Sequence, residues 1–176
     1  LSKQTQTAAQ ALLKLAADRP WGEITLRDIA GEAGLDLVDL YGEVQSKTDL
    51  LAVISKDLDL AALRTAATSS EDPHDRLFDA VMARVEAMEP HRAALTLIGR
   101  EAPGFVALHL PATARAIWEA AGLEATPPRI LLLTAVWARI AQVWRDDEGA
   151  LNRTMAEIDK RLRQMRAVLG RVRAGF

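Results

Sequence analysis

The sequence predicts an all-α chain, and three observations carry that expectation. Ala and Leu dominate a composition that is 49% hydrophobic but only 5% aromatic, which favours helices over sheets. Apolar residues recur at steps of three and four rather than alternating, the spacing of a helix face. Polar caps precede these stretches, and Gly or Pro follows them, as at helix starts and stops. At 176 residues the chain fits one or two compact units with a core of useful size.

Residues 2–18 read as an amphipathic helix with Ala8, Ala9, Leu12, Leu13, Leu15 and Ala16 inward. Asp18-Arg19-Pro20 ends it, and Trp21-Gly22 makes a corner in which Trp21 is expected to be core. From Ile24 to Leu51 two short helices meet at a tight turn, Ala33-Gly34-Leu35, before a longer third helix. Thr25 is an N-cap with Asp28 three residues on, a short acidic relative of the capping box. Ile29 and Ala30 face inward, and Gly34 stops the helix where a left-handed residue is needed. Asp36 caps the next helix, with Leu37, Leu40 and Tyr41 at helical spacing, and Ser46 with Asp49 caps the one after. Two helices around a glycine turn make a helix-turn-helix, the unit that places its second helix in a DNA major groove.

The third helix is expected from Lys47 to about Ala67, burying Leu50, Leu51, Ile54, Leu58, Ala61 and Ala62. Thr68-Ser69-Ser70-Glu71-Asp72 is a polar boundary, and Asp72-Pro73 starts the next helix as cap and first residue. Residues 73–89 carry Leu77, Phe78, Val81, Met82, Val85 and Met88 on one face; Pro90 opens a further helix ending near Gly99. After a turn at Glu101-Ala102-Pro103-Gly104, residues 105–121 are expected to be helical, with a kink or break at Pro111 and a stop at Gly122. Thr126-Pro127-Pro128 caps a helix to about Arg145 that is apolar around most of its circumference and so must be covered on more than one side. The last helix, about 150–170, shows a seam of Leu151, Met155, Ile158, Leu162, Met165 and Leu169. Pairing these two helices with their copies across a two-fold axis would cover both, which predicts a homodimer.

The ordered series T-L-R-D-I-A-x-x-A-G-L (Thr25 to Leu35), L-Y (Leu40-Tyr41) and S-K-x-x-L-L (Ser46 to Leu51) resembles the N-terminal signature of TetR-family regulators, over about residues 8–55. The resemblance implies a three-helix helix-turn-helix DNA-binding head, residues 1–50, and a larger helical ligand-binding and dimerisation body, residues 51–176. It places Thr25, Arg27, Tyr41 and Lys47 at or near phosphate-contact positions, and Leu37, Val38 and Gly42 on the groove-facing part of the recognition helix. It also places Phe78, Met82, Met88, Phe105, Trp118, Trp137 and Trp144 in the segments that enclose the inducer pocket. Phe78, Met82, Phe105, Trp118 and Trp137 are the expected ligand contacts, against the plainer reading that each packs the core. The implied partners are double-stranded operator DNA, an apolar small-molecule effector or lipid, and a second copy joined through the last two helices.

Several residues depart from the family pattern. Asp36 stands where Ser is common, Asp39 where Thr is common, and Gly42-Glu43-Val44 replaces an aromatic or His pair followed by Phe. Asp39 and Glu43, one turn apart, are expected to meet phosphates and to sacrifice part of the counterion-release affinity, although an acid can accept from a cytosine amino group. Gly42 weakens the recognition helix by about 1 kcal/mol relative to Ala. The chain's net charge is −2, yet residues 1–55 carry 5 basic and 8 acidic groups, net −3, and residues 150–176 carry 7 basic and 2 acidic, net +5. A reading head normally shows the opposite sign.

A second resemblance lies near the end. W-R-D-D-E-G-x-L-x-x-T-M-x-x-I-D-K-R-L (Trp144 to Leu162) resembles TetR-like lipid-binding proteins of coenzyme Q biosynthesis, which implies a DNA-independent alternative that holds an isoprenoid or other lipid. The favoured expectation is a ligand-responsive transcriptional regulator, a repressor. Neither catalysis, a metal nor a cofactor is expected. There is no Cys, no nucleophile elbow, phosphate loop or dinucleotide fingerprint, and His74, His91 and His109 fall on three separate predicted helices. Asp146-Asp147-Glu148 is expected to be a solvated loop. No signal peptide or membrane span is visible in the sequence, so a cytoplasmic location is expected.

Overall fold

The computed structural model describes residues 2–65, 70–147 and 150–174, with side chains described as far as 171. The described residues are helical with short connections and contain no strand, so the all-α expectation is met. In order they form α1 (Lys3–Asp18), α2 (Leu26–Ala33), α3 (Leu37–Glu43), α4 (Lys47–Thr65), α5 (Pro73–Met88), α6 (Arg92–Glu101), α7 (Pro103–Ala120), α8 (Pro127–Arg145) and α9 (Asn152–Ala174). Single 3-10 turns at Trp21–Glu23 and Glu89–His91 complete them. Ala66, Ala67, Thr68 and Ser69, in the expected boundary, and Glu148 and Gly149, in the acidic motif, lie outside the described residues. The chain divides into two compact units: residues up to Leu58 with Met88–His109, and Asp59–Ala87 with Leu110 onward.

In the first unit α1 packs against α2, α3 and α6. The Ser2 hydroxyl starts α1 by accepting from the Thr5 N–H at 3.0 Å. Ala8, Ala9, Leu12, Leu13 and Ala16 are buried as one stripe, while Leu15, expected inward, is half-buried at its edge. Truncating fully buried Leu12 to Ala should cost about 2–5 kcal/mol, the transfer term plus the cavity left behind. The α2 start has the full capping box: the Asp28 N–H donates to Thr25 Oγ1 at 3.2 Å, and the Thr25 N–H donates to Asp28 Oδ2 at 2.8 Å. Gly34 closes α2 at φ 65°, and the Leu35 N–H reaches back to the Ala30 carbonyl at 2.9 Å. Asp36 accepts from the Val38 N–H at 2.7 Å to start α3, and Asp49 accepts from the Gln45 and Ser46 N–H groups ahead of α4.

In the second unit α8 and α9 pack together, and the core runs through Leu77, Val81 and Val85 of α5, Ile117 of α7, Leu133 and Ile140 of α8, and Ile158 and Leu162 of α9. Several details depart from expectation. The helix α7 starts at Pro103, one residue after α6, and continues unbroken through Pro111. The buried face of α9 is Thr154, Ile158, Leu162 and Met165, whereas Met155 is 42% exposed, so the seam enters one residue earlier. The cause lies in the preceding loop, where Asp147 is buried rather than solvated. Its Oδ2 accepts from both the N–H and the hydroxyl of Thr154, each at 2.8 Å, capping α9 and drawing Thr154 inward. Among the described residues only one side of α8 is covered: Leu133, Val136, Trp137, Ile140 and Trp144 are buried, while Leu131 (73% exposed), Ala135, Ala138 and Gln142 form an open stripe.

Candidate functional site

The Gly34 turn brings α3 to the surface of the first unit. Leu40 anchors it at 1% exposure and Leu37 is half-buried, so the opposite face presents Val38 (79% exposed), Tyr41 (58%) and Asp39. At the start of α2, the Thr25 hydroxyl donates to Asp28 Oδ2 at 2.6 Å while accepting from the backbone. That hydroxyl contact, then the Thr25 N–H, holds the Asp28 carboxyl below its usual range, with Arg19 at 3.4 Å adding to it. Arg27 is exposed and has no ion pair or hydrogen bond among the described residues.

Two charges expected at the phosphates engage groups of the first unit itself. The Glu43 carboxylate does not stand out beside Asp39; it accepts from the hydroxyls of Ser2 and Thr5 at the first turn of α1. An anion there meets unpaired helix N–H groups and the positive end of the dipole, and the two hydroxyls, Ser2 first, lower its pKa. The Lys47 ammonium lies 4.5 Å from the Trp21 ring centroid and donates to the carbonyls of Trp21 and of Ile24, the latter at 2.8 Å. Partial burial lowers its pKa, opposed by the nearby Glu101 carboxylate. Glu101 also accepts from the Trp21 N–H at 2.7 Å, so Trp21, 8% exposed, is core as expected. With Lys14 paired to Glu32, Arg19 to Asp28 and Lys47 held by carbonyls and the Trp21 ring, Lys3 and Arg27 are the remaining cations of the first 50 residues, with no ion pair among the described residues.

The expected ligand residues are distributed between the two units. Phe105, 42% exposed, belongs to the first. Half-buried Phe78 and buried Met82, Trp118 and Trp137 belong to the second. Trp118 donates from Nε1 to the Arg129 carbonyl at 3.0 Å, and the Arg129 guanidinium lies 5.6 Å from its ring centroid. Trp137 lies beneath Arg84, whose guanidinium carbon is 4.7 Å from the ring centroid. Arg84 Nε donates to Asp59 Oδ1 at 2.7 Å and a terminal nitrogen donates to Thr113 Oγ1 at 3.1 Å, with Arg84 only 5% exposed. Burial pushes the guanidinium pKa down and Asp59 opposes it. This polar cluster, drawn from α4, α5, α7 and α8, was not anticipated. Its signal was present: Arg84 interrupts the α5 apolar stripe three residues after Val81 and four before Met88.

No protein-family model and no curated protein matches the sequence. Solved structures do match over nearly the whole chain. A TetR transcriptional regulator from Rhodococcus sp. RHA1 has a TM-score of 0.68 and 17% identity, covering 92% of this chain and 94% of its own. The chain has the fold of TetR-family regulators. The chain is also similar to the dihydroxyacetone kinase operon activator DhaS (TM-score 0.62, 11% identity, covering 94% of this chain and 95% of that one) and to the fatty acid degradation regulator FadR from Bacillus halodurans (0.58, 13%, covering 92% and 95%). No helix among the described residues is long and apolar enough to cross a membrane.

Proposed function

We propose that the chain is a ligand-responsive TetR-type transcriptional regulator, a repressor, acting in the cytoplasm as a homodimer on a palindromic operator. Residues 1–50 serve as its DNA-binding head and residues 51–176 as its ligand-binding and dimerisation body. The observation that carries the proposal is the α2–Gly34–α3 unit with Val38 and Tyr41 exposed on the free face of α3. Val38 suits a thymine methyl, Tyr41 a phosphate or base edge, and Arg27 with the α2 start a phosphate. Leu37 shapes the groove contact, and Lys47 acts by fixing the Trp21 corner. With few unpaired cations on the head, binding should have a shallow salt slope, about −0.9 per neutralised phosphate. Phe78, Met82, Phe105, Trp118 and Trp137 are proposed to serve an apolar effector, a reading in keeping with FadR being a fatty acid degradation regulator. The open Leu131, Ala135, Ala138 and Gln142 stripe of α8 supports a second copy as its cover.

Fluorescence anisotropy with DNA from upstream of the chain's own gene tests the proposal. Saturable binding at low salt is expected, weakened about tenfold by Tyr41→Ala or Arg27→Ala, the scale of one lost charged or base-edge contact. No binding to that DNA at low salt would overturn it; absence of DNA binding together with a co-purified isoprenoid would favour the lipid-holding alternative. Leu131→Glu, at an exposed position, should leave the helical content unchanged and convert a dimer to a monomer in light scattering. An unchanged mass would remove α8 from the interface.

A further inference from the structure

On the second unit, an open cleft of about 370 Å³ is lined by His74, Arg163, Arg166 and Ala167. That volume falls at the small end of ligand pockets, roughly 300–1,000 Å³. Its walls are cationic. Arg163 and Arg166 lie one turn apart on α9, and His74 is the second residue of α5. One carboxylate already bridges two of these side chains: Asp159 Oδ1 is 3.6 Å from His74 Nε2, and Arg163 Nε lies 2.9 Å from each Asp159 oxygen. Arg163 holds the Asp159 carboxyl below its usual range, with His74 adding to the effect. Arg163 engages Asp159 through Nε alone, which leaves its terminal amino groups open, and Arg166 has no ion pair or hydrogen bond among the described residues.

We propose that this cleft binds the phosphate group of a small phosphorylated metabolite. Asp159 demonstrates that His74 and Arg163 are placed to share one oxyanion. The donors left over, Arg166 and the terminal amino groups of Arg163, exceed what that carboxylate satisfies. Asp72 also lies close, accepting from the His74 backbone N–H at 2.7 Å, so the match to a phosphate rests on geometry: the terminal nitrogens of Arg163 and those of Arg166 are donors that neither carboxylate takes up, and a phosphate brings three acceptor oxygens to them. A phosphate entering the cleft takes His74 and Arg163 over from Asp159 and adds Arg166. Ala167 leaves room beside the guanidiniums for the rest of the ligand. The cleft is lined by none of the apolar residues proposed for the effector, and its test does not depend on DNA binding.

The experiment is calorimetric titration of the full chain with glycerol phosphate, with inorganic phosphate and phosphatidic-acid vesicles as parallel arms. One saturable site per chain for glycerol phosphate is expected. Arg166→Ala and Arg163→Ala should each weaken it about tenfold or more, the loss of one charge-assisted contact. Asp159→Asn should tighten it by removing the competing carboxylate, an effect opposite in sign to that of a damaged fold. Lys160→Ala, on the same helix outside the cleft, should change it less than twofold. An equal loss with Lys160→Ala, the absence of saturable binding to either soluble phosphate, or binding to the vesicles alone would overturn the proposal.

Discussion

In the first unit Glu43 and Lys47 lie near the surface and tie helix ends together, one at the first turn of α1 and the other at the carbonyls behind Trp21. In the second, Arg84 and Asp59 form an ion pair whose side chains are 6% and 11% exposed, with Trp137 and Thr113 around it. The same residue chemistry therefore answers two problems. A charge near water satisfies backbone groups that a helix end leaves unpaired, at little desolvation cost. A charge deep in the body must be fully matched, because the low dielectric penalises whichever partner is left alone. Head charges should thus be replaceable one at a time, and the body pair only as a pair.

The largest expected effect follows directly. Arg84→Ala strands the Asp59 carboxylate and should cost about 3–5 kcal/mol in denaturant melts, whereas replacing both members by apolar residues of similar size should be nearly neutral. A single variant as stable as the double one would show that water reaches the site and that the contrast between the units is false.

A smaller contrast lies within the head. Gly34 sits at φ 65°, and a side chain there should cost about 1–2 kcal/mol because L-residues resist the left-handed region. Gly42 has ordinary helical backbone and nothing within 4 Å of a Cβ placed on it. Gly42→Ala should accordingly stabilise the head by up to about 1 kcal/mol. Shifts of opposite sign in melting temperature for the two alanine variants, the larger at Gly34, would separate a glycine needed by the turn from one the fold does not require.

The helix-turn-helix was legible because its signals are local. Thr25 with Asp28, Gly34 at the turn and Asp36 at the next start each act within a few residues of themselves. What escaped depends on side chains reaching across the fold. Glu43 finds Ser2 and Thr5, Lys47 finds Trp21, and Arg84 finds Asp59 and Thr113, none of which a helical period reveals. Asp147 escaped for another reason: three consecutive acids read as solvent-exposed, yet Asp147, next to exposed Asp146, is buried and caps α9. Of the proposed ligand residues, the aromatic character was visible in the sequence, but their polar neighbours Arg84 and Arg129 were not, since each arrives from another part of the chain.

The smallest expected effect concerns how the head's tie-downs respond to acid. The Ser2 hydroxyl, then that of Thr5, lowers the pKa of Glu43, and the Thr25 hydroxyl does the same for Asp28. A carboxyl whose folded pKa lies below its unfolded value contributes stability that is fully present above the unfolded value, about 4.3 for Glu. That stability is lost as pH falls through the window toward the folded value, because the unfolded chain takes up the proton first. Glu43→Gln should therefore melt below the parent at neutral pH, and the gap should close below about pH 4. Thr5→Ala removes one of the two hydroxyl donors and should narrow the same gap from the other side. Melting curves from neutral to acid pH decide the matter: a gap that persists unchanged into acid would mean that Glu43 acts through packing or helix propensity, and that its charge does not fasten α3 to the start of α1.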